Sequence, residues 1–170
     1  LGASYSLMQF FFAPFWGRLS DRVGRRPIIL TSVMISAIGH FIFAMAPSLF
    51  WLFAARMLAG FGNANLGTAK ALIADSTTLE NRAKGMGMIG AAFGLGFIFG
   101  PAIGAALGQI SPTTPLFAAG VLSLGNFVLA FFLLPETLSE KSVPSSRSIL
   151  PFRQYANAAK HPNAIAILWI

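Results

Sequence analysis

Residues Gly85 to Pro135 read GMGMIGAAFGLGFIFGPAIGAALGQISPTTPLFAAGVLSLGNFVLAFFLLP, 51 positions without one Asp, Glu, Lys or Arg. A helix rises about 1.5 Å per residue and a bilayer core is about 30 Å thick, so one span needs roughly 20 residues. The run is long enough for two. Gly108-Gln109-Ile110-Ser111-Pro112-Thr113-Thr114-Pro115 divides it with residues that favour turns. Pro27 to Ala55 is a second charge-free run, of 29 residues, divided at Ala46-Pro47-Ser48. With 55% hydrophobic and 10% charged residues, the solvent for most of this chain is lipid.

Hydropathy then places spans at Leu1 to Trp16, Ile28 to Ala46, Leu49 to Ala74, Gly85 to Leu107 and Leu116 to Leu134, with a further one starting near Asn163. The expected fold is all-α, a polytopic membrane helical bundle. Charge alternates between the connections. Arg18, Arg22, Arg25 and Arg26, then Arg82 and Lys84, then Lys141, Arg147, Arg153 and Lys160 fall on alternate connections, ten of the twelve basic residues. The two intervening turns carry none, so the positive-inside rule makes the charged side cytoplasmic and Leu1 to Trp16 runs inward. Glu136 to Pro162, with Ser142, Ser145, Ser146 and Ser148, reads as a cytoplasmic linker. Ile149, Leu150, Phe152 and Tyr155 with Arg153 and Lys160 offer a short interfacial helix as the other reading. Both ends fall inside apolar stretches and no signal peptide is visible, so the chain is expected to be a fragment.

Several function classes drop out. No cysteine is present, which removes disulfide and Cys-based metal readings. The +7 net charge is distributed between apolar spans rather than gathered on a soluble face, which argues against nucleic acid. No nucleophile, acid pair or metal cluster marks an enzyme. No cofactor is expected beyond a proton gradient.

The first charged connection reads Gly17-Arg18-Leu19-Ser20-Asp21-Arg22-Val23-Gly24-Arg25-Arg26-Pro27. Gly17 and Gly24 permit close approach and a tight turn, and Pro27 suits the first turn of a helix. Eleven positions in register resemble the G-x-L-[AS]-D-R-x-G-R-R-P signature between the second and third helices of the major facilitator superfamily. The resemblance implies the N-terminal six-helix half of a twelve-helix fold: helices 2 to 6 over residues 1–135, the central linker over 136–162 and the start of helix 7 over 163–170. It implies a cytoplasmic gate of Asp21 and Arg25 with Asp75, supported by Gly17, Gly24 and Arg26. A network of this kind that holds one conformation and breaks in the other is what alternating access requires.

Arg56-Met57-Leu58-Ala59-Gly60-Phe61-Gly62 resembles the family's fourth-helix R-x-x-x-G-x-G motif. Arg56 lies about 10 Å below the outer end of its span, where an unpaired cation facing lipid costs at least about 2.5 kcal/mol, so it should face a cavity or partner. Asn63 and Lys70 follow at intervals of seven, a polar stripe beside Gly60 and Gly67 and a candidate cavity lining; snorkelling to the interface is the other reading for Lys70. The resemblance gives Arg56 a part in coupling proton movement to substrate. Gly87, Gly96, Gly100-Pro101 and Gly104-Ala105 are similar to the antiporter signature G-x8-G-x3-G-P-x2-G-G, with Ala105 for the last glycine. Gly96, Gly100, Gly104 and Gly108 form a ridge for close helix approach, and Pro101 predicts a kink.

Ile73-Ala74-Asp75 through Asn81-Arg82, Phe93-Gly94-Leu95-Gly96 and Leu134-Pro135-Glu136-Thr137 look like the tetracycline/proton antiporter branch, a resemblance that covers nearly the whole chain. A membrane acid of the third helix in that branch corresponds to Gly39 here, which leaves tetracycline itself open as a substrate. His40 beside it is a packing residue or a titrating group for proton coupling. The expected function is proton-coupled export of drug-like or small amphipathic molecules by a multi-pass inner (plasma) membrane protein. The implied partners are a small-molecule substrate, protons, the bilayer and the missing C-terminal half. The alternatives are an organic-anion or metabolite porter of the same superfamily, drawn by two in-span cations with no in-span acid, and a membrane scaffold or receptor.

Overall fold

The computed structural model describes residues 1–137, and every regular element among them is helical. The order is α1 (Gly2–Val23), α2 (Arg25–Ala44), α3 (Leu49–Gly62), a 3-10 turn (Asn63–Asn65), α4 (Leu66–Ser76), α5 (Leu79–Gly108) and α6 (Thr114–Leu133). Three of these, α2, α5 and α6, are long and apolar enough to cross a membrane by length and composition alone. The expected linker lies outside the described residues from position 138 onward, as do the alternative interfacial helix and the start of a further span.

The boundaries correct the sequence reading in two places. The first two charged connections are much shorter than expected, because the helices run past the apolar stretches. Only Gly24 separates α1 from α2, and only Thr77 and Thr78 separate α4 from α5. At about 1.5 Å per residue, the 30 residues of α5 span about 45 Å, well beyond the hydrocarbon core. The arginines therefore sit on helix ends rather than in a loop. Gly24 makes the one-residue joint with φ at 125°, a conformation that a side chain at Cβ would strain. Its N–H still donates to the Ser20 carbonyl, 3.1 Å away, closing α1.

The second correction concerns Leu49 to Ala74, expected as one span but divided by the 3-10 turn. Three residues at 3.0 per turn instead of 3.6 rotate α4 about 60° relative to a continuous helix. The break is braced by side chains of α1: Trp16 Nε1 donates to the Phe61 carbonyl at 2.7 Å, and Gln9 Nε2 to the Asn63 carbonyl at 3.1 Å. Irregular backbone is tolerated at membrane depth only where such groups satisfy it.

Packing is built on α2, which lies against both α3 and α6, while α1 lies against α3. Small residues set the distances. A Cβ on Gly62 would stand 2.8 Å from the Ser32 carbonyl oxygen and the Ser36 nitrogen of α2. One on Gly60 would stand 3.0 Å from Met8 Cβ of α1, and one on Gly39 would stand 3.0 Å from the Ala59 nitrogen of α3. Close backbone approach of this kind supplies dispersion contact where lipid leaves no hydrophobic driving force. Trp16, Ile28 and Ala64 form the buried centre, ringed by Phe12, Phe15, Leu19, Ile35 and Phe61. Phe12 meets Phe61 edge-on with centroids 4.8 Å apart, a favoured aromatic geometry.

The glycine ridge of α5 meets no helix closely among the described residues at three of its four positions. Gly87, Gly96, Gly100 and Gly104 have nothing within 4 Å of where a Cβ would stand, and no residue of α5 is buried. Among the described residues, close helix approach is made at Gly39, Gly60 and Gly62. Gly17 likewise has an open Cβ direction, so the close approach expected there is not made among the described residues. The helix continues through Pro101.

Candidate functional site

The C-terminal ends of α1, α4 and α6 and the N-terminal ends of α2 and α5 meet at one end of the bundle, and the charged side chains converge there. Asp21 and Asp75 lie in the last turns of α1 and α4, where the negative end of the helix dipole disfavours a carboxylate. Arg25 and Arg26 open α2, where the positive end disfavours a cation. Each charge sits at the wrong end of its own helix, and its compensation comes from a neighbouring one.

Arg25 is the hub. Its Nη1 pairs with Asp21 of α1 and its Nε with Asp75 Oδ2 of α4 at 3.1 Å. Nη1 also donates to Ser20 Oγ at 2.7 Å. The Ser20 hydroxyl is fully buried and donates to the Gly17 carbonyl at 2.7 Å, with Thr68 Oγ1 of α4 at 3.4 Å. The Arg25 side chain is only 12% exposed, against 49% for Asp21 and 35% for Asp75. One guanidinium thus ties three helices, with its carboxylate partners facing outward. Arg26 turns the other way: Nη2 donates to the Phe131 carbonyl at 2.6 Å and the guanidinium lies 5.6 Å from the Phe131 ring, binding α6. Arg82 of α5 donates to the Ala74 carbonyl at 2.9 Å, beside Asp75.

A second polar group lies farther from the charged end. Tyr5 and Gln9 of α1 meet the helix break, Gln9 Nε2 reaching the Tyr5 hydroxyl at 3.4 Å as well as the Asn63 carbonyl. Ser6, Gln9, Ala13, Asn63 and Gly67 are among the residues lining a hollow of about 350 Å³ between α1 and the break. Arg56 is half-buried, its guanidinium 4.3 Å from the Phe43 ring of α2, and its Nε makes no hydrogen bond among the described residues. A desolvated cation over an aromatic face gains roughly 2 kcal/mol. His40 is half-buried with Nδ1 2.7 Å from the Ser36 carbonyl, so Nδ1–H is the donor and Nε2 is left as the basic nitrogen.

The structure therefore brings Asp21, Arg25 and Asp75 together, turns the Arg26 side chain against α6 rather than toward them, and puts Asn63 at the hollow. Lys70 is exposed on α4, after the break. Gly39 is buried against the α3 backbone, leaving no room for a carboxylate at that position. Sequence reasoning missed Tyr5, Gln9, Trp16, Ser20 and Thr68, whose partners lie some 50 residues away in the chain. It also missed the carboxylate of Glu136, which accepts from the Arg25 and Arg26 backbone N–H groups at 3.0 and 3.3 Å. No group of His, Asp or Glu capable of holding a metal ion occurs among the described residues.

Residues 1–170 match the sequence profile of the Major Facilitator Superfamily. The class B tetracycline resistance protein of Escherichia coli is 42% identical over 135 residues, covering 79% of this chain and 34% of that protein. Major facilitator superfamily domain-containing protein 10 of Mus musculus is 35% identical over 147 residues, covering 86% of this chain and 31% of that protein. The crystal structure of the human organic anion transporter MFSD10 (TETRAN) superposes with a TM-score of 0.77 at 36% identity, covering 92% of this chain and 36% of that one. The chain spans about a third of the length of the curated relatives it matches.

Proposed function

The chain belongs to the Major Facilitator Superfamily, a family of membrane transporters rather than enzymes, and on that premise we propose that it forms most of the N-terminal half of a proton-coupled exporter of small amphipathic molecules. The Arg25 bridge between Asp21 on α1 and Asp75 on α4 carries this reading. Helices held together by partly exposed ion pairs, each charge unfavourable on its own helix, can separate at low cost and re-form, as an alternating-access gate must. Gly24 and Arg26 hold α2 in the place that the bridge needs. The hollow at the α1 side of the broken span is where substrate is taken, since discontinuous helices form transporter binding sites near the midplane. Arg56, and His40 through Nε2, link that region to proton movement. The bacterial tetracycline resistance relatives support the drug/proton exchange and a bacterial-type inner membrane.

A second reading has its own support. No Asp or Glu lies within the apolar stretch of any described helix, Arg56 is a half-buried cation, and a relative of high structural similarity is an organic anion transporter. An anion porter of the same fold would use Arg56 for substrate charge rather than for protons. Reconstitution of the full-length protein in liposomes with an internal pH dye separates the two. Proton movement on addition of cationic or neutral amphiphiles, lost in Arg56→Ala, supports exchange; a response to anions alone supports the second reading; substrate flux without proton movement refutes coupling.

A further inference from the structure

We propose that Glu136 is a positioning residue of the gate, the group that fixes the first turn of α2 so that Arg25 faces its two carboxylates. The inference rests on the gate reading above and adds a fourth helix to it. Glu136 stands three residues past the end of α6. Its Oε1 accepts from the Arg25 N–H at 3.0 Å and from its neighbour Thr137 at 3.0 Å, and its Oε2 accepts from the Arg26 N–H at 3.3 Å. These two α2 amides belong to the four at a helix start that have no partner within their own helix. No side chain of α2 or of the joint caps them, since the residue before the helix is Gly24. A carboxylate from 110 residues downstream does so instead.

Three features make this a built arrangement rather than a passing contact. The carboxylate meets the positive end of the α2 dipole, the place where two arginines in succession would otherwise raise the local potential. Gly24 leaves the space: a Cβ there would collide with Glu136 Oε2. Arg26 brings α6 to the same spot by gripping the Phe131 carbonyl and ring, so α6 and the residues after it meet the first turn of α2 at two points. Arg25 is then held by its backbone from α6 and by its side chain from α1 and α4. Releasing the backbone frees the guanidinium to swing from Asp75. Glu136 therefore acts through Arg25.

The test uses the full-length protein carrying Ala13→Cys, a position lining the hollow about 15 Å from the end of α1, and reads labelling by a membrane-impermeant thiol reagent added from the cytoplasmic side. Glu136→Ala should raise the labelling rate about two- to fivefold, the range that one charge at a helix end supplies. In an Asp75→Asn background the same substitution should add little, because both act on Arg25. Glu136→Gln, of the same shape and with one acceptor oxygen, should fall between and serves in place of the alanine variant if that one does not fold. A merely structural cap would lower the thermal midpoint while leaving labelling unchanged, or would add in full to Asp75→Asn; either result overturns the inference. If Asp75→Asn moves labelling and both Glu136 variants do not, the gate stands without Glu136. If none of them moves it, the gate reading itself falls.

Discussion

Replacing Asp75 by asparagine removes one charge from the hub and keeps its shape. Arg25 Nε lies 3.1 Å from Asp75 Oδ2, which at an effective dielectric near 20 corresponds to about 5 kcal/mol of gross attraction. Most of that is offset. Asp75 is 35% exposed and loses hydration on pairing, and exposed pairs of this kind contribute a net of about 0.2–1 kcal/mol. Arg25 is 12% exposed, which places the pair at the upper end of that range, near 1 kcal/mol. The asparagine amide still offers an oxygen, and Asp21 still neutralises the guanidinium, so the structure survives while the closed state loses about 1 kcal/mol. That shifts a two-state equilibrium about fivefold. Labelling of Ala13→Cys from the cytoplasmic side in the full-length protein should accelerate by that factor, and Arg25→Ala combined with Asp75→Asn should exceed Arg25→Ala alone by much less. A rate unchanged within about twofold, or full additivity of the two, would show that the pair does not restrain the cytoplasmic end.

Two other substitutions probe the scaffold behind the site. Trp16→Phe removes the indole donor from the Phe61 carbonyl while keeping most of the aromatic packing, and should lower stability by about 1–3 kcal/mol, read as a drop in the detergent-solubilised thermal midpoint; an unchanged midpoint would mean that the helix break does not depend on α1. Gly39→Asp would drive a carboxylate into the α3 backbone at Ala59, so it should abolish folded protein on size exclusion, whereas recovery of a folded, proton-exchanging variant would show that this position opens to a cavity.

Membrane character and the location of the charged end were legible in the chain because they depend on quantities that add along it. The charge-free lengths of Gly85 to Pro135 and Pro27 to Ala55, and the alternation of basic residues between turns, fix both without reference to any contact. Asp21 and Arg25 were legible too, being one helical turn apart, and Asp75 came through the resemblance rather than through any spacing. Other features were decided by packing. Hydropathy cannot show that a span breaks at Asn63, since the break is braced by Trp16 and Gln9 of another helix, which donate to carbonyls there. A glycine pattern cannot say which glycines meet a neighbour within this stretch: Gly96, Gly100 and Gly104 on α5 meet nothing among the described residues, while Gly39, Gly60 and Gly62 let backbones approach closely. Glu136 entered the sequence reading within Leu134-Pro135-Glu136-Thr137, a stretch that carries the family resemblance without giving the acid a role. Its carboxylate acquires a role only when the end of α6 comes to rest on the start of α2, a relation between residues 110 positions apart that no local property of the sequence encodes.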